Sequence, residues 1–205
     1  KNIFLKLTSK VIFCEPMEAE FSKLFLNSYR YIQFAIANQF YMIADNSGLN
    51  FNKIKEIMSQ DYPRADGLPS AGFAAGPCLF KDTMQLSSYA QNNFGLGVNA
   101  MLVNEGIVLY IKDKIKKNYD HKNLIVGLLG MAFKADCDDI RSSLSYKLKK
   151  VLKPIVKEVL YTDDLVKDDD SLISLDEILQ KSDLLILCTP HTYFKNIKIE
   201  KPLID

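Results

Sequence analysis

The residues best suited to covalent chemistry sit in one stretch, Gly72-Phe-Ala-Ala-Gly-Pro-Cys78-Leu-Phe-Lys81-Asp82-Thr83. Its glycines and alanines let backbone approach a ligand without side chains in the way. Met84-Gln-Leu-Ser-Ser-Tyr-Ala90 reads as a helix, so Cys78 falls just before a helix N-terminus. Free amides and the helix dipole stabilise negative charge there, which favours a thiolate nucleophile. A buried cysteine at a helix start is the competing reading, since free cysteine is among the most buried residue types. An acid, Asp82, follows four residues on, with Lys81 between. As the opening residue of an apolar-periodic run, Asp82 also suits a helix N-cap.

Two further clusters carry polar groups at suggestive spacings. Lys23 and Asn27 are one helical turn apart, so they project from one face of a helix; a solvated face is the alternative. Gly130-Met-Ala-Phe-Lys134 follows an apolar run, and Asp138-Asp-Ile-Arg141-Ser-Ser follows it in turn. Lys134 and Arg141 also read as ordinary surface charges near a helix start. Gly127-Leu-Leu-Gly130 is not a full G-x-G-x-x-G and by itself is weak evidence for a dinucleotide. His191, after an apolar run, reads as a turn residue rather than a base.

The elements that must position these residues divide the chain in two. The 205 residues are 48% hydrophobic, enough for one large domain or two small ones. From Glu18 to Asn46 runs one long helical pattern ended by Gly48, with Phe21, Leu24, Phe25, Ile32, Ala35, Ile36, Phe40 and Ile43 recurring. A shorter helix over Asn52–Gln60, capped by Asn52, precedes a long loop with Pro63, Gly67, Pro69, Gly72, Gly76 and Pro77. Loops of that length are usually functional or mobile. Helices near 82–92 and 97–117 complete the first part.

After Tyr119 the pattern changes. Leu124–Leu129, Ile155–Tyr161, Leu184–Thr189 and Pro202–Asp205 read as strands, with helices over Ser142–Leu152 and Leu175–Gln180 between them. Strands alternating with helices predict a parallel, doubly wound α/β sheet. The expectation is α+β overall: an all-helical domain at 1–118, with 1–14 a remnant of a preceding domain, and a Rossmann-like domain at 119–205. Both ends read as cuts, so the chain is expected to be a fragment of a larger protein.

Composition excludes several function classes. With 26 Lys+Arg against 25 Asp+Glu, no basic surface for nucleic acid or a membrane is expected. The four cysteines, Cys14, Cys78, Cys137 and Cys188, form no C-x-x-C pair, which argues against zinc and a disulfide framework. A reducing cytoplasm is the simplest compartment. No signal peptide and no membrane-spanning run is evident.

Taken in order, Glu20-x-x-Lys23-x-x-x-Asn27, Gly76-x-Cys78-x-x-Lys81-Asp82 and Gly130-x-x-Phe133-Lys134 followed by Arg141-x-Ser143 resemble the UDP-glucose/GDP-mannose dehydrogenase family, from about residue 15 to 205. The resemblance implies an enzyme of three parts: an NAD-binding domain, a helical middle that makes the homodimer, and a nucleotide-sugar-binding domain. The present chain would hold the last two. It implies oxidation of the C6 alcohol of a UDP-sugar to a uronate for surface polysaccharide, with two NAD and a cysteine thiohemiacetal and thioester. Cys78 would be the nucleophile, Lys23 and Asn27 would hold the oxygen that becomes negative, and Asp82 would serve as general base. Glu20, Arg64, Gly72, Phe73, Gly76, Phe133 and Lys134 would bind substrate, Arg64 from a neighbouring subunit and at altered spacing. Lys81 and Arg141 would approach NAD.

The resemblance leaves the sugar open. Lys81-Asp82-Thr83 is similar to the UDP-glucose branch, whereas Arg30 is similar to the branch acting on UDP-N-acetylglucosamine or UDP-N-acetylmannosamine. Gly-Phe-Ala-Ala-Gly-Pro-Cys also replaces the commoner Gly-Phe-Gly-Gly-Ser-Cys, and Asn38-Gln39 the commoner Asn-Glu. A non-catalytic, dimerising UDP-sugar-binding module is the reading of a different class.

Overall fold

Pro16 and a reciprocal capping box between Glu15 and Glu18 start the first helix, α1 (Pro16–Asn46), in the computed structural model, which describes residues 3–91 and 93–205. Proline at this position gives up only an amide that has no intrahelical partner. Gly48 ends the helix in the left-handed region at φ +70°, while the Leu49 N–H closes back on the Ala44 carbonyl at 2.8 Å.

The second helix, α2 (Phe51–Ser59), is capped by Asn50, whose side chain accepts from the Lys53 N–H, and not by Asn52 as the sequence suggests. Asn50 has extended backbone and Asn52 is already helical, so only Asn50 can reach that amide. The next two helices are α3 (Leu79–Tyr89) and α4 (Gly95–Asn118), each starting two or three residues before the position expected from periodicity. The expected end of α3 at residue 92 lies outside the described residues, as do residues 1 and 2 of the expected N-terminal remnant.

Helix α1 packs on α3 and α4. Small residues make close approach possible: Ala35, Ala74 and Ala100 cluster with Tyr31, and Ala37 and Ala44 with Phe51. Helix α4 also faces the sheet. Its Ile107, Val108, Ile111 and Ile115 share one core with Val126, Leu128, Leu184 and Ile186.

Four strands, β1 (Ile125–Leu129), β2 (Glu158–Thr162), β3 (Leu184–Leu187) and β4 (Leu203–Ile204), form a parallel sheet in the order β2-β1-β3-β4. Val126 stands opposite Val159 on one side and Leu184 on the other. Strand β2 begins at Glu158, not Ile155, because the Ile155 and Val156 amides still bond the Leu152 carbonyl at the end of α5 (Leu144–Leu152). Helices α4 and α5 cover one face; α6 (Leu175–Lys181) and residues 193–199 cover the other, against Leu129 and Leu185. A cap from Ser143 starts α5, and one from Ser174 starts α6. The expected architecture, helices followed by a doubly wound parallel sheet, is the one found. The order reverses at β1, so the carboxyl ends of β1 and β3 flank the position where open α/β sheets bind ligands.

Candidate active site

Helices α1 and α3 lie side by side, which brings residues 55 positions apart onto one carboxylate. Lys23 Nζ is 2.6 Å from Asp82 Oδ2, and Asn27 Nδ2 donates to the same oxygen at 2.6 Å. Lys81 Nζ stands 3.8 Å from Oδ1. Asp82 is only 1% exposed, whereas the Lys23 side chain is 58% exposed. Asp82 is thus not an N-cap: α3 has already begun at Leu79, and the Asp82 N–H bonds the Cys78 carbonyl at 2.9 Å. Burial alone would raise its carboxyl, but the bonds from Lys23 and Asn27 outweigh burial and hold it below the usual carboxylate range. The same bond raises the Lys23 ammonium.

Cys78 occupies the N-cap position of α3 and is exposed. The buried-cysteine reading therefore fails for Cys78 and holds for Cys188, whose thiol burial pushes up to about 12. Lys23, from the helical part, and Arg141, from the sheet part, both lie within electrostatic reach of the Cys78 sulfur. Arg141 is 74% exposed and makes a two-pronged bond to Asp139, with Nη2 at 2.7 Å and Nε at 3.0 Å.

The loop before Cys78 is held from two sides. The Gly72 N–H donates to Asn38 Oδ1 at 2.8 Å; Asn38 donates to Asn104 at 3.0 Å, and Asn104 to the Tyr31 carbonyl at 2.9 Å. Both asparagines are buried between α1 and α4. On the other side Gly76, at φ +102°, lies under the Phe133 ring; a Cβ there would fall 2.5 Å from it. The Gly76 N–H also reaches the Ser142 carbonyl at 3.5 Å. Phe133 is half-buried, and the Lys134 ammonium stands 5.6 Å from its ring centre, exposed.

The structure therefore brings together Lys23, Asn27, Cys78, Lys81, Asp82 and Arg141, and packs Gly76 on Phe133 beside Lys134. It does not tie in Glu20 or Arg64. Glu20 lies exposed one turn before Lys23, and Arg64 lies exposed on a 3-10 turn at 63–65. Neither side chain bonds another among the described residues. The sequence pattern does not mark Asn38 and Asn104 as positioning residues; the signal they leave in it is a polar residue on the buried face of a long helix. An open cavity of about 400 Å³ lined by Lys116, His121, Lys122 and Pro154–Val156 lies at the amino edge of the sheet, away from Cys78.

A dinucleotide does not fit the turn after β1. Its Met131 and Ala132 amides, which would face a pyrophosphate, both donate to Asp163 Oδ2, at 2.7 and 2.9 Å.

Residues 17–107 match the UDP-glucose/GDP-mannose dehydrogenase family, central domain, and residues 127–203 the same family's UDP binding domain. The chain is 29% identical over 197 residues to a UDP-N-acetyl-D-mannosamine dehydrogenase of Pyrococcus horikoshii, covering 93% of this chain and 46% of that protein. The solved structure of UDP-D-ManNAc dehydrogenase from Pyrococcus horikoshii superposes with a TM-score of 0.76 at 29% identity, over 88% of this chain and 44% of that one. A UDP-glucose dehydrogenase structure from Pyrobaculum islandicum shares the fold, with a TM-score of 0.82 at 21% identity over 100% of this chain and 52% of that one. The chain spans about half the length of the curated relatives it matches.

Proposed function

We propose that this chain, which belongs to the UDP-glucose/GDP-mannose dehydrogenase family, carries the nucleophile and the nucleotide-sugar-binding part of an NAD-dependent nucleotide-sugar 6-dehydrogenase. The observation that carries this reading is the convergence of Lys23, Asn27 and Asp82 beside an exposed Cys78. A surface helix face would not bury a carboxylate to hold an exposed lysine.

The residues divide the work as follows. Asp82 keeps Lys23 protonated and, with Asn27, aims the ammonium at the oxygen on the sugar's C6. When that carbon is an aldehyde, the Cys78 thiol adds across the C=O: a C–S bond forms and the proton ends on the oxygen, next to Lys23. Once the adduct has been oxidised to a thioester, water attacks the carbonyl, the C–S bond breaks and the thiol is restored. Asp82 takes the water's proton. NAD, when bound, would supply the oxidant, two NAD for the four electrons removed from each sugar. The outward-facing residues of this chain that would meet NAD are Lys81 and Arg141, since the β1 turn is closed to it. Lys134, Phe133 and the Gly72–Gly76 loop would hold the nucleotide sugar, with Glu20 and Arg64 completing the site. The boundary between the helical and sugar-binding domains is placed at 118/119, and the enzyme in the cytoplasm. No helix among the described residues is long and apolar enough to cross a membrane.

For the sugar, the named relative at 29% identity and Arg30 favour a UDP-N-acetylhexosamine, while Lys81-Asp82-Thr83 favours UDP-glucose. The experiment is to incubate the enzyme that contains this chain with NAD and UDP-glucose, UDP-N-acetylglucosamine or UDP-N-acetylmannosamine. Uronate and two NADH per sugar are expected from one of them. Absence of both products with all three overturns the reading. The 205-residue chain alone is expected to produce no NADH, as a UDP-sugar-binding module would.

A further inference from the structure

Three strand ends meet where the sheet order reverses, and a buried carboxylate–imidazole hydrogen bond ties them. Asp163 follows β2, His191 follows β3, and the loop bearing Lys134 follows β1. His191 is 0% exposed, with Nε2 2.9 Å from Asp163 Oδ2. Its Nδ1 accepts the Asp136 N–H at 2.9 Å. That acceptor role leaves Nδ1 bare, so Nε2 carries the proton and donates to Asp163. Asp163 also takes the Met131 and Ala132 amides on Oδ2 and the Leu165 amide on Oδ1 at 3.0 Å. Asp136 closes the ring by accepting the Thr192 N–H at 2.8 Å and hydroxyl at 2.7 Å.

These bonds fix residues 131, 132 and 136, the two feet of a short arch. At its crown stand Phe133, which caps Gly76, and Lys134, whose exposed ammonium makes no close ion pair among the described residues and feels only the charge of Asp139, a carboxylate already held by Arg141. Burial disfavours the Asp163 charge, yet its backbone bonds to Ala132 and Met131 and its bond to His191 hold the carboxyl low, so it stays ionised. The carboxylate occupies the amides that would otherwise receive phosphate, leaving the Lys134 side chain as the arch's group for an anion.

We propose that the Asp163–His191 pair is a positioning clamp: it closes the β1 turn to phosphate and holds the arch so that Lys134 meets the diphosphate of the nucleotide sugar. This rests on the nucleotide-sugar reading above. A pair that only filled the core would act on stability and not through Lys134.

The test is isothermal titration of UDP into the enzyme that contains this chain, for wild type, His191→Ala, His191→Asn, Lys134→Ala and the doubles. Losing the clamp is expected to weaken UDP roughly tenfold, with His191→Asn weakened less, because its carbonyl can still accept the Asp136 N–H. In the Lys134→Ala background the same His191 changes are expected to shift Kd by less than about twofold. The KM for the sugar should rise while kcat at saturation holds, since Cys78, Lys23 and Asp82 sit on other elements. If His191→Ala does not fold, His191→Asn decides. Wild-type UDP affinity in folded His191 variants, or equal weakening with and without Lys134, overturns the clamp. A wild-type protein that binds no UDP defeats the nucleotide-sugar reading itself, and the clamp with it.

Discussion

At the scale of single residues, Asp82 behaves unlike a surface acid because one of its oxygens receives both Lys23 and Asn27. Its carboxyl is lowered in the fold, so it stabilises the protein above the usual carboxylate pKa. That contribution is lost as pH falls through the lowered folded value. Asp45, Asp163 and Asp169 are lowered too, so acid destabilises the whole fold; Asp82→Asn should remove only its own share. The measurement is Tm from pH 7 to pH 2 for both proteins, and identical acid slopes would refute the role of the pair. Cys78 is argued the same way. In the active enzyme Cys78→Ser should abolish uronate formation while UDP still binds, because a serine hydroxyl is a far weaker nucleophile at neutral pH. Cys14→Ser and Cys137→Ser should leave turnover unchanged. Cys188→Ser should lower stability by no more than about 1 kcal/mol without touching the chemistry, since the new hydroxyl is buried but has the Ser145 side chain to bond. Near wild-type acid formation by Cys78→Ser defeats the covalent route.

At the scale of elements, the loop before Cys78 depends on one glycine and one asparagine. Gly76→Ala meets two obstacles, a left-handed backbone at φ +102° and the Phe133 ring 2.5 Å from the new carbon. We expect destabilisation of about 1–3 kcal/mol and weakened UDP binding, because ring or loop must move. Asn38→Ala strands the Gly72 amide and breaks the link to buried Asn104, for a loss of about 1–3 kcal/mol. Urea unfolding with a wild-type midpoint for either variant would contradict the argument.

At the scale of the whole molecule, α1 leaves Phe25, Tyr29, Ile36, Phe40 and Ile43 exposed along a stripe at helical spacing. We propose that a second copy covers it, through a symmetric pairing of the two α1 helices. Sedimentation of the enzyme containing this chain should show a dimer, and Ile36→Glu combined with Phe40→Glu should shift it to monomer. A wild-type monomer at micromolar concentration would rule the pairing out.

Much of this protein is decided by local sequence. The long α1 pattern, the switch to alternating apolar runs after Tyr119 and the ordered Lys23, Cys78 and Lys134 clusters are legible without a fold, because periodicity and spacing are properties of neighbours in the chain. The start of β2 and the cap of α2 lie two or three residues from where the sequence pattern puts them, since a helix end and a cap depend on which amide a group reaches. What only the tertiary structure decides is pairing between distant residues. Asp82 reads as an N-cap until α1 packs beside α3 and gives it Lys23 and Asn27. His191 reads as a turn residue until β2 and β3 end side by side and put Asp163 2.9 Å away. No local pattern encodes either partner: burying a carboxylate depends on where its hydrogen-bond donors lie in space, and here those partners are 28 to 59 positions away.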